Sequence, residues 1–205
     1  MAGLLALPSH IIGRRAQTDL GGQHYLNLYS LMVAGTDVGK SAVMDYLRDQ
    51  LIQEINLGGK LTFGPITVAG IFASPEGMHN DFEHLGSNHL FQIVDEWSHQ
   101  LGKSKNDGGG PIIQAITSLW TGSGTTSTTK NARIDLSGKH LSILAGSTWE
   151  WLAQNLDKSA VGGGFVNRFC YFIGEKEQAR NLTPSSPSPI WLKESRSSAR
   201  CSRPT

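Results

Sequence analysis

The sequence predicts an α/β fold: a central, mostly parallel sheet with helices on both faces. Three observations predict it. Apolar, strand-like segments alternate along the chain with segments of helical periodicity, the order of strand–helix–strand crossovers. The first of these strands runs straight into a glycine-bearing loop and then an amphipathic helix. A later apolar run, Leu90 to Val94, ends on two adjacent carboxylates, Asp95 and Glu96. Ligands of such sheets bind beyond the carboxyl ends of the strands, so both features point to one place.

Taken in order, Leu4 to Ile12 has helical spacing, and Gly13-Arg14-Arg15 closes it. Tyr25 to Val33 predicts the first strand. Its nearly continuous apolar character fits a parallel strand covered on both faces. After the loop, Val43, Leu47, Leu51 and Ile55 recur every four residues and predict one helix face, stopped by Gly58-Gly59. Ile66 to Phe72 predicts a second strand. Ser74-Pro75-Glu76 reads as N-cap, first-position proline and first-turn acid, with Met78, Phe82 and Leu85 inward. Ser98 to Gly110 is polar. Pro111 starts a helix with Ile112, Ile116, Leu119 and Trp120 inward, ended by Gly122. Gly122 to Lys130 predicts an exposed, mobile loop. His140 to Ala145 is a further strand, Trp149 to Leu156 a short helix, and Cys170 to Ile173 the last strand, reached through a glycine link at 162–164.

From Glu175 the prolines, serines and arginines leave no periodic apolar face. The expected organisation is one domain over 1–174 and a disordered or aberrant tail over 175–205. A truncated or frameshifted gene end fits the same composition.

The chain has 205 residues, 39% of them apolar, enough for one core. A net charge of +1 argues against a strongly basic nucleic-acid coat, though not against a local groove. Cys170 and Cys201 lie in no metal or redox spacing, which suits a reducing cytoplasm. No run reaches the length of a membrane-spanning helix, and the apolar start lacks a charged leader region, so neither a membrane partner nor a signal peptide is expected. The histidines are scattered, and none is assigned to a metal.

Ala34-Gly35-Thr36-Asp37-Val38-Gly39-Lys40-Ser41, placed between strand and helix, is the phosphate-binding P-loop context. Backbone N–H groups over Gly35 to Ala42 and the positive end of a helix suit a triphosphate such as ATP. Gly39 permits close approach of the backbone. Lys40 would reach the β- and γ-phosphates, and the Ser41 hydroxyl would ligate Mg²⁺. Ala34 stands where the usual motif has glycine, and the Asp37 carboxylate is compatible with phosphates only if it points outward. Asp95 would hold Mg²⁺ through its water shell, and Glu96 would orient and deprotonate the attacking water. The bland reading of that pair is a surface acid cluster after a core strand. Ser147 and Thr148 end the next strand. A hydroxyl there senses the γ-phosphate, caps the following helix, or does both. Arg168 fits either an arginine supplied to a neighbouring subunit's nucleotide or a structural salt bridge. Lys130 and Arg133 fit DNA phosphate contacts, but ordinary solvated charges explain them as well.

These segments together resemble the helicase-type ATPase domain of primase-helicase proteins from phages, plasmids and other mobile elements. The matching parts are Ile12-Gly13-Arg14-Arg15, Asn27-Leu28-Tyr29 leading into Gly39-Lys40-Ser41, and Val94-Asp95-Glu96. Leu141 to Gly146 with Ser147-Thr148 and Gly164-Phe165-Val166-Asn167-Arg168-Phe169 complete the series, covering roughly residues 10 to 173. The resemblance implies a P-loop NTPase fold of the AAA+/RecA-like kind. It also implies ATP-driven translocation on DNA, single-stranded in the first instance, by a homo-oligomeric ring, usually a hexamer. A primase domain or partner would accompany it, although the sequence carries none before residue 1, and the tail stands where a C-terminal lid would be. Lys40 and Ser41 match the family's nucleotide loop, Asp95 and Glu96 its acid pair, Thr148 its sensor and Arg168 its trans-acting arginine. Asp37 and Val38 stand where that loop usually has smaller residues.

Two further readings stay open. One is a P-loop ATPase of another kind, a DNA-packaging motor or a loader. The other is a nucleotide-binding remnant without turnover. The adjacent Asp-Glu pair points to an activated water rather than to the acceptor hydroxyl of a small-molecule kinase.

Overall fold

The computed structural model describes residues 1–18, 24–58, 65–105, 110–128, 133–156 and 163–175. All of them belong to one compact unit, Met1–Glu175. The predicted tail, apart from Glu175, lies outside the described residues, as do Lys130 and Cys201.

Helix α1 (Ala2–Ile12) passes through a short 3-10 turn, Gly13–Arg15, into a small hairpin of β1 (Gln17–Thr18) and β2 (His24–Tyr25). β3 (Tyr29–Ala34) leads into α2 (Lys40–Tyr46), which continues through a π-helical turn, Leu47–Leu51, into α3 (Ile52–Leu57). β4 (Val68–Ala69), α4 (Pro75–His84), β5 (His89–Val94), α5 (Ser98–Lys105) and α6 (Gly110–Trp120) come next. A second hairpin, β6 (Thr126–Thr128) with β7 (Arg133–Asp135), precedes β8 (His140–Ser147), α7 (Trp149–Asn155) and β9 (Phe169–Gly174).

Five strands form an all-parallel sheet in the order β4-β5-β8-β3-β9. The fold is therefore α/β with helices on both faces, as the alternation predicts. Strand alternation divides the core. Tyr29, Leu31, Val33, Leu90, Val94, Leu141 and Ile143 pack on one face against Met78 and Phe82 of α4, Leu101 of α5, Ile112, Ile116 and Leu119 of α6, and Leu152 of α7. Phe91, Ile93 and Leu144 pack on the other against Ala6 and Leu7 of α1, with Met44, Leu47 and Ile52. Among the described residues no helix is long and apolar enough to cross a membrane.

Several elements differ from their predicted form. The first strand is Tyr29–Ala34 rather than 25–33, because Tyr25 pairs with Gln17 in the hairpin. The strand predicted over 66–72 pairs only at Val68–Ala69. Beyond it the Gln92 amide donates to the Gly70 carbonyl (2.7 Å). The Gln100 amide both donates to the Phe72 carbonyl (2.7 Å) and accepts from its N–H (3.0 Å). Two side chains thus replace ladder bonds. The helix after the loop buries Leu47 and packs Leu51 and Ile55 against the core, as the four-residue spacing predicts; Met44 and Ile52 join them, and Val43, at the start of α2, is 46% exposed instead. Leu85 is likewise exposed, lying past the end of α4. Ser98 to Lys105 is helical, anchored by the buried Trp97, Gln100 and Leu101, and 126–128 is a strand rather than a loop. The Ser74 cap is as predicted: its hydroxyl accepts from the Gly77 N–H at 3.1 Å, with Pro75 in the first turn.

Candidate functional site

The strand order sets the site. β8 lies between β3 and β5, with Val33 beside Ser147 and Val94 beside Ala145. The carboxyl ends of the three strands are therefore adjacent, and the residues just beyond each end are brought together. A cleft of about 470 Å³ opens there, lined by residues 36–42, Asp95, Glu96 and Thr148. Sequence-distant residues meet as the order of elements predicts.

The loop after β3 turns twice through the left-handed region. Gly39 has φ +81°, a position that favours glycine. Asp37 has φ +62°; aspartate is among the few side chains that enter this region readily. Asp37 is exposed and is among the residues that line the cleft. Gly39, the residue before α2, makes no side-chain cap bond to the first turn of the helix. The Lys40 ammonium curls back to donate to the carbonyls of Ala34 (2.8 Å) and Gly35 (2.6 Å). Gly35 thus bounds the loop through its carbonyl. Ser41 and Ala42 are exposed at the helix start.

The acid pair lies just past β5, where the chain crosses the end of β8. Trp97 N–H donates to the Gly146 carbonyl (2.7 Å), and a Cβ at Gly146 would lie 2.7 Å from the Asp95 carbonyl oxygen. Glycine at 146 is what lets the two chains approach this closely. Asp95 is exposed, 3.9 Å from the Arg48 guanidinium, which also binds Asp45 at 3.3 Å. Glu96 is half-buried. Its Oε1 accepts from the Ser147 hydroxyl (2.6 Å) and the Ser98 N–H (3.2 Å). Thr148 lines the cleft and also caps α7, accepting from the Trp151 N–H at 3.3 Å. Its hydroxyl proton stays available to the cleft.

Arg168 is not brought to this cleft. It precedes β9, whose Phe169 is in register with Tyr29, so it sits at the opposite end of the sheet, roughly 16 Å of strand away. Its guanidinium donates to the Gly164 carbonyl (2.6 Å) and lies 5.4 Å from the Trp120 ring centre. Neither contact is an ion pair. Arg133 is exposed at the start of β7.

Of the two hydroxyls that end β8 in the sequence reading, Ser147 is the one that holds Glu96. Arg48 is a residue that reading did not single out. It faces Asp95, and its spacing from Ser41 and Asp45 on one helix face is a signal that could have found it.

The scattered histidines also partly converge. His10, His89 and His140 pack at the amino ends of β5 and β8, with ring centres 5.1 to 6.5 Å apart. Burial, then the neighbouring histidine, pulls His10 down to about 4 and His140 to about 3. Among the described residues no group of three or more His, Cys, Asp or Glu side chains is arranged to hold a metal ion. For magnesium this is no obstacle, since that ion commonly takes one or two carboxylates and completes its shell with water and substrate phosphates. The Ser41 hydroxyl and Asp95 carboxylate are hard oxygen donors of that kind. Compared with known proteins, the sequence matches no family model and no curated protein.

Proposed function

We propose that this cleft binds the phosphates of ATP and that the chain is the motor domain of a helicase-like P-loop ATPase acting on DNA. The observation that carries the reading is the convergence of Lys40, Ser41, Asp95, Glu96 and Thr148 on one cleft around a glycine-turned loop. A cation, a helix start and an acid pair at adjacent strand ends are the parts phosphoryl transfer to water requires.

Lys40 exchanges its two carbonyl partners for phosphate oxygens, so its charge is already aimed at the loop. Ser41 and Asp95 would hold Mg²⁺, which supplies charge neutralisation between the phosphates. Glu96 orients the attacking water. With Oε1 held by Ser147 and Ser98, Oε2 is the oxygen left to accept the water proton. The bond from water oxygen to γ-phosphorus forms, the bridging bond to the β-phosphate breaks, and ADP leaves with that electron pair. The proton passes through Glu96 to solvent. Thr148 offers its hydroxyl proton to the γ-phosphate or the water.

Arg168 favours a second reading for the isolated chain. Its guanidinium is engaged by Gly164 and Trp120 at the far end of the sheet, so only a neighbouring copy could bring an arginine from there to the cleft. A lone chain then binds nucleotide without rapid turnover, and a ring or a DNA strand completes the site.

The test is ATP hydrolysis with and without single-stranded DNA, in wild type, Lys40→Ala and Glu96→Gln. The expected result is DNA-stimulated turnover lost in both variants. Binding with no turnover in any protein leaves the remnant reading. Stimulation by duplex DNA or by a protein partner alone points to a packaging motor or loader.

A further inference from the structure

The sheet has two edges, and the chain treats them differently. At one, β4 pairs over two residues only, and beyond it the Gln92 and Gln100 side chains bond to the backbone groups of Gly70 and Phe72. At the other, β9 runs for six residues, Phe169–Gly174, beside β3 alone. We propose that β9 is a docking edge for a second copy of this chain, whose own β9 pairs with it antiparallel across a twofold axis. The two five-stranded sheets then continue into one another. This pairing holds whether or not the Lys40 cleft binds ATP.

The strand register shows which backbone groups of β9 are free. The Ile143 N–H donates to the Leu28 carbonyl at 3.0 Å, so the even-numbered residues of β3 turn their backbone groups to β8. Tyr29, Leu31 and Val33 therefore bond to β9, and their partners there are the groups of Cys170, Phe172 and Gly174. The N–H and carbonyl groups of Tyr171 and Ile173 point the other way, off the sheet. Among the described residues no strand lies beyond them. An edge of this length is ordinarily blunted by a charge, a proline or a bulge, and β9 has none of these.

Charge and shape favour a second copy as the occupant. A twofold contact sets a patch against itself, so a charge on the strand would meet or neighbour its own copy. Phe169–Gly174 carries no charge, and self-pairing meets no such repulsion. The side chains complement one another as well. Tyr171 and Ile173 are in register with Leu31 and Val33, share their sheet face, and are 41% and 63% exposed. Antiparallel pairing through outward-facing groups sets Tyr171 opposite Ile173 of the second copy, twice, with Phe172 at the axis. Each exposed side chain then covers the other as an aromatic–β-branched pair. On the opposite face, Phe172 of the second copy lies beside a cleft of about 460 Å³ that the exposed Met1 and Val43 help to line. A strand contact of this size falls short of the roughly 800 Å² per partner typical of stable complexes, so the dimer is weak and dissociates on dilution. It closes on itself and differs from the head-to-tail contact that a ring needs.

The experiment is sedimentation velocity of the full chain, without nucleotide, over about 1 to 200 µM. Wild type is expected to pass from monomer to dimer with a dissociation constant of about 10–100 µM. Ile173→Pro removes an outward N–H and leaves the β3 ladder bonds in place, and it is expected to raise that constant at least about tenfold. Its circular dichroism and melting temperature are checked against wild type. Ile173→Lys and Tyr171→Glu each place an unpaired charge at the contact and are each expected to weaken association to a similar degree. Mixed in equal amounts, the two should associate within about threefold of wild type, because the mixed dimer opposes charges of unlike sign and keeps one native pair. A wild type that stays monomeric over this range overturns the proposal, and so does a dimer that Ile173→Pro leaves unchanged. If that variant does not fold, the charged pair decides: no recovery in the mixture overturns the proposal. Association that continues past the dimer overturns the twofold.

Discussion

At the carboxyl ends of β3, β5 and β8 the polar side chains face a cleft, while at the amino ends of the same strands they are buried against one another. Lys40, Asp95, Glu96 and Thr148 line the open end. At the other end Asn27 donates to the carbonyls of Leu119 (2.9 Å) and Leu141 (3.3 Å), and His10, His89 and His140 pack ring against ring. Arg168 is folded there onto Gly164 and Trp120. The difference teaches where stability and chemistry reside. A parallel sheet gathers loops at both ends, but here it is the carboxyl end that gathers a cation and an acid pair around an open cleft. Changes at one end should move turnover and leave the fold alone, and changes at the other should do the reverse.

Acid should break the closed end first. His10 and His140 are held neutral, their folded values far below the ordinary 6.5. The unfolded chain therefore binds more protons between those limits. Stability is full above pH 6.5 and falls as pH drops through 6.5 toward the folded values, with a combined slope of up to about 2.7 kcal/mol per pH unit. Between pH 6 and 4.5 the loss from this pair should be about 3–4 kcal/mol. Denaturant unfolding across that range measures it, and His10→Phe should remove about half the slope. His89 and Arg14 add positive charge to the cluster and oppose any gain of protons there. A slope that His10→Phe leaves unchanged would place the acid sensitivity elsewhere.

At the open end Lys40→Ala should cost about 3–4 kcal/mol in the barrier to hydrolysis, a hundredfold or more in turnover. Its melting temperature should match wild type, because the bonds it loses are to carbonyls of a half-exposed loop. A matching loss of stability would mean that Lys40 is structural. Asn27→Ala is the mirror case. It strips two buried carbonyls of a donor and should cost about 2 kcal/mol of stability, with turnover per folded molecule unchanged.

The open end was legible in the sequence because its signals are local. A glycine loop before Lys40 and an acid pair after an apolar run are contiguous motifs, and the Ser74-Pro75 cap is another. The closed end was not legible, because its contacts join residues from separate elements. His10, His89 and His140 come from a helix and two strands, and nothing near any one of them announces the others. The helix face after the loop was legible at Leu47, Leu51 and Ile55 and failed at Val43, which lies in the exposed first turn of α2. Ser98 to Lys105 hid its helix by having few apolar anchors, chiefly Leu101 beside Trp97.

Thr148 belongs to both regimes, and it gives the finest test of the contrast. Its hydroxyl accepts from the Trp151 N–H as a helix cap and, on the proposed reading, offers its proton to the cleft. Thr148→Ala should cost about 1 kcal/mol of stability through the lost cap. If the hydroxyl also serves the cleft, turnover measured on fully folded protein should fall about tenfold, while nucleotide affinity changes little. Thr148→Ser keeps the hydroxyl and should restore both. The informative outcome is a split between the two quantities. A stability loss with undiminished turnover would make Thr148 a cap alone and move its assigned role to Ser147, the hydroxyl already bonded to Glu96 at 2.6 Å. Ser147→Ala would then depress turnover, since it releases the carboxylate oxygen that fixes the orientation of Glu96.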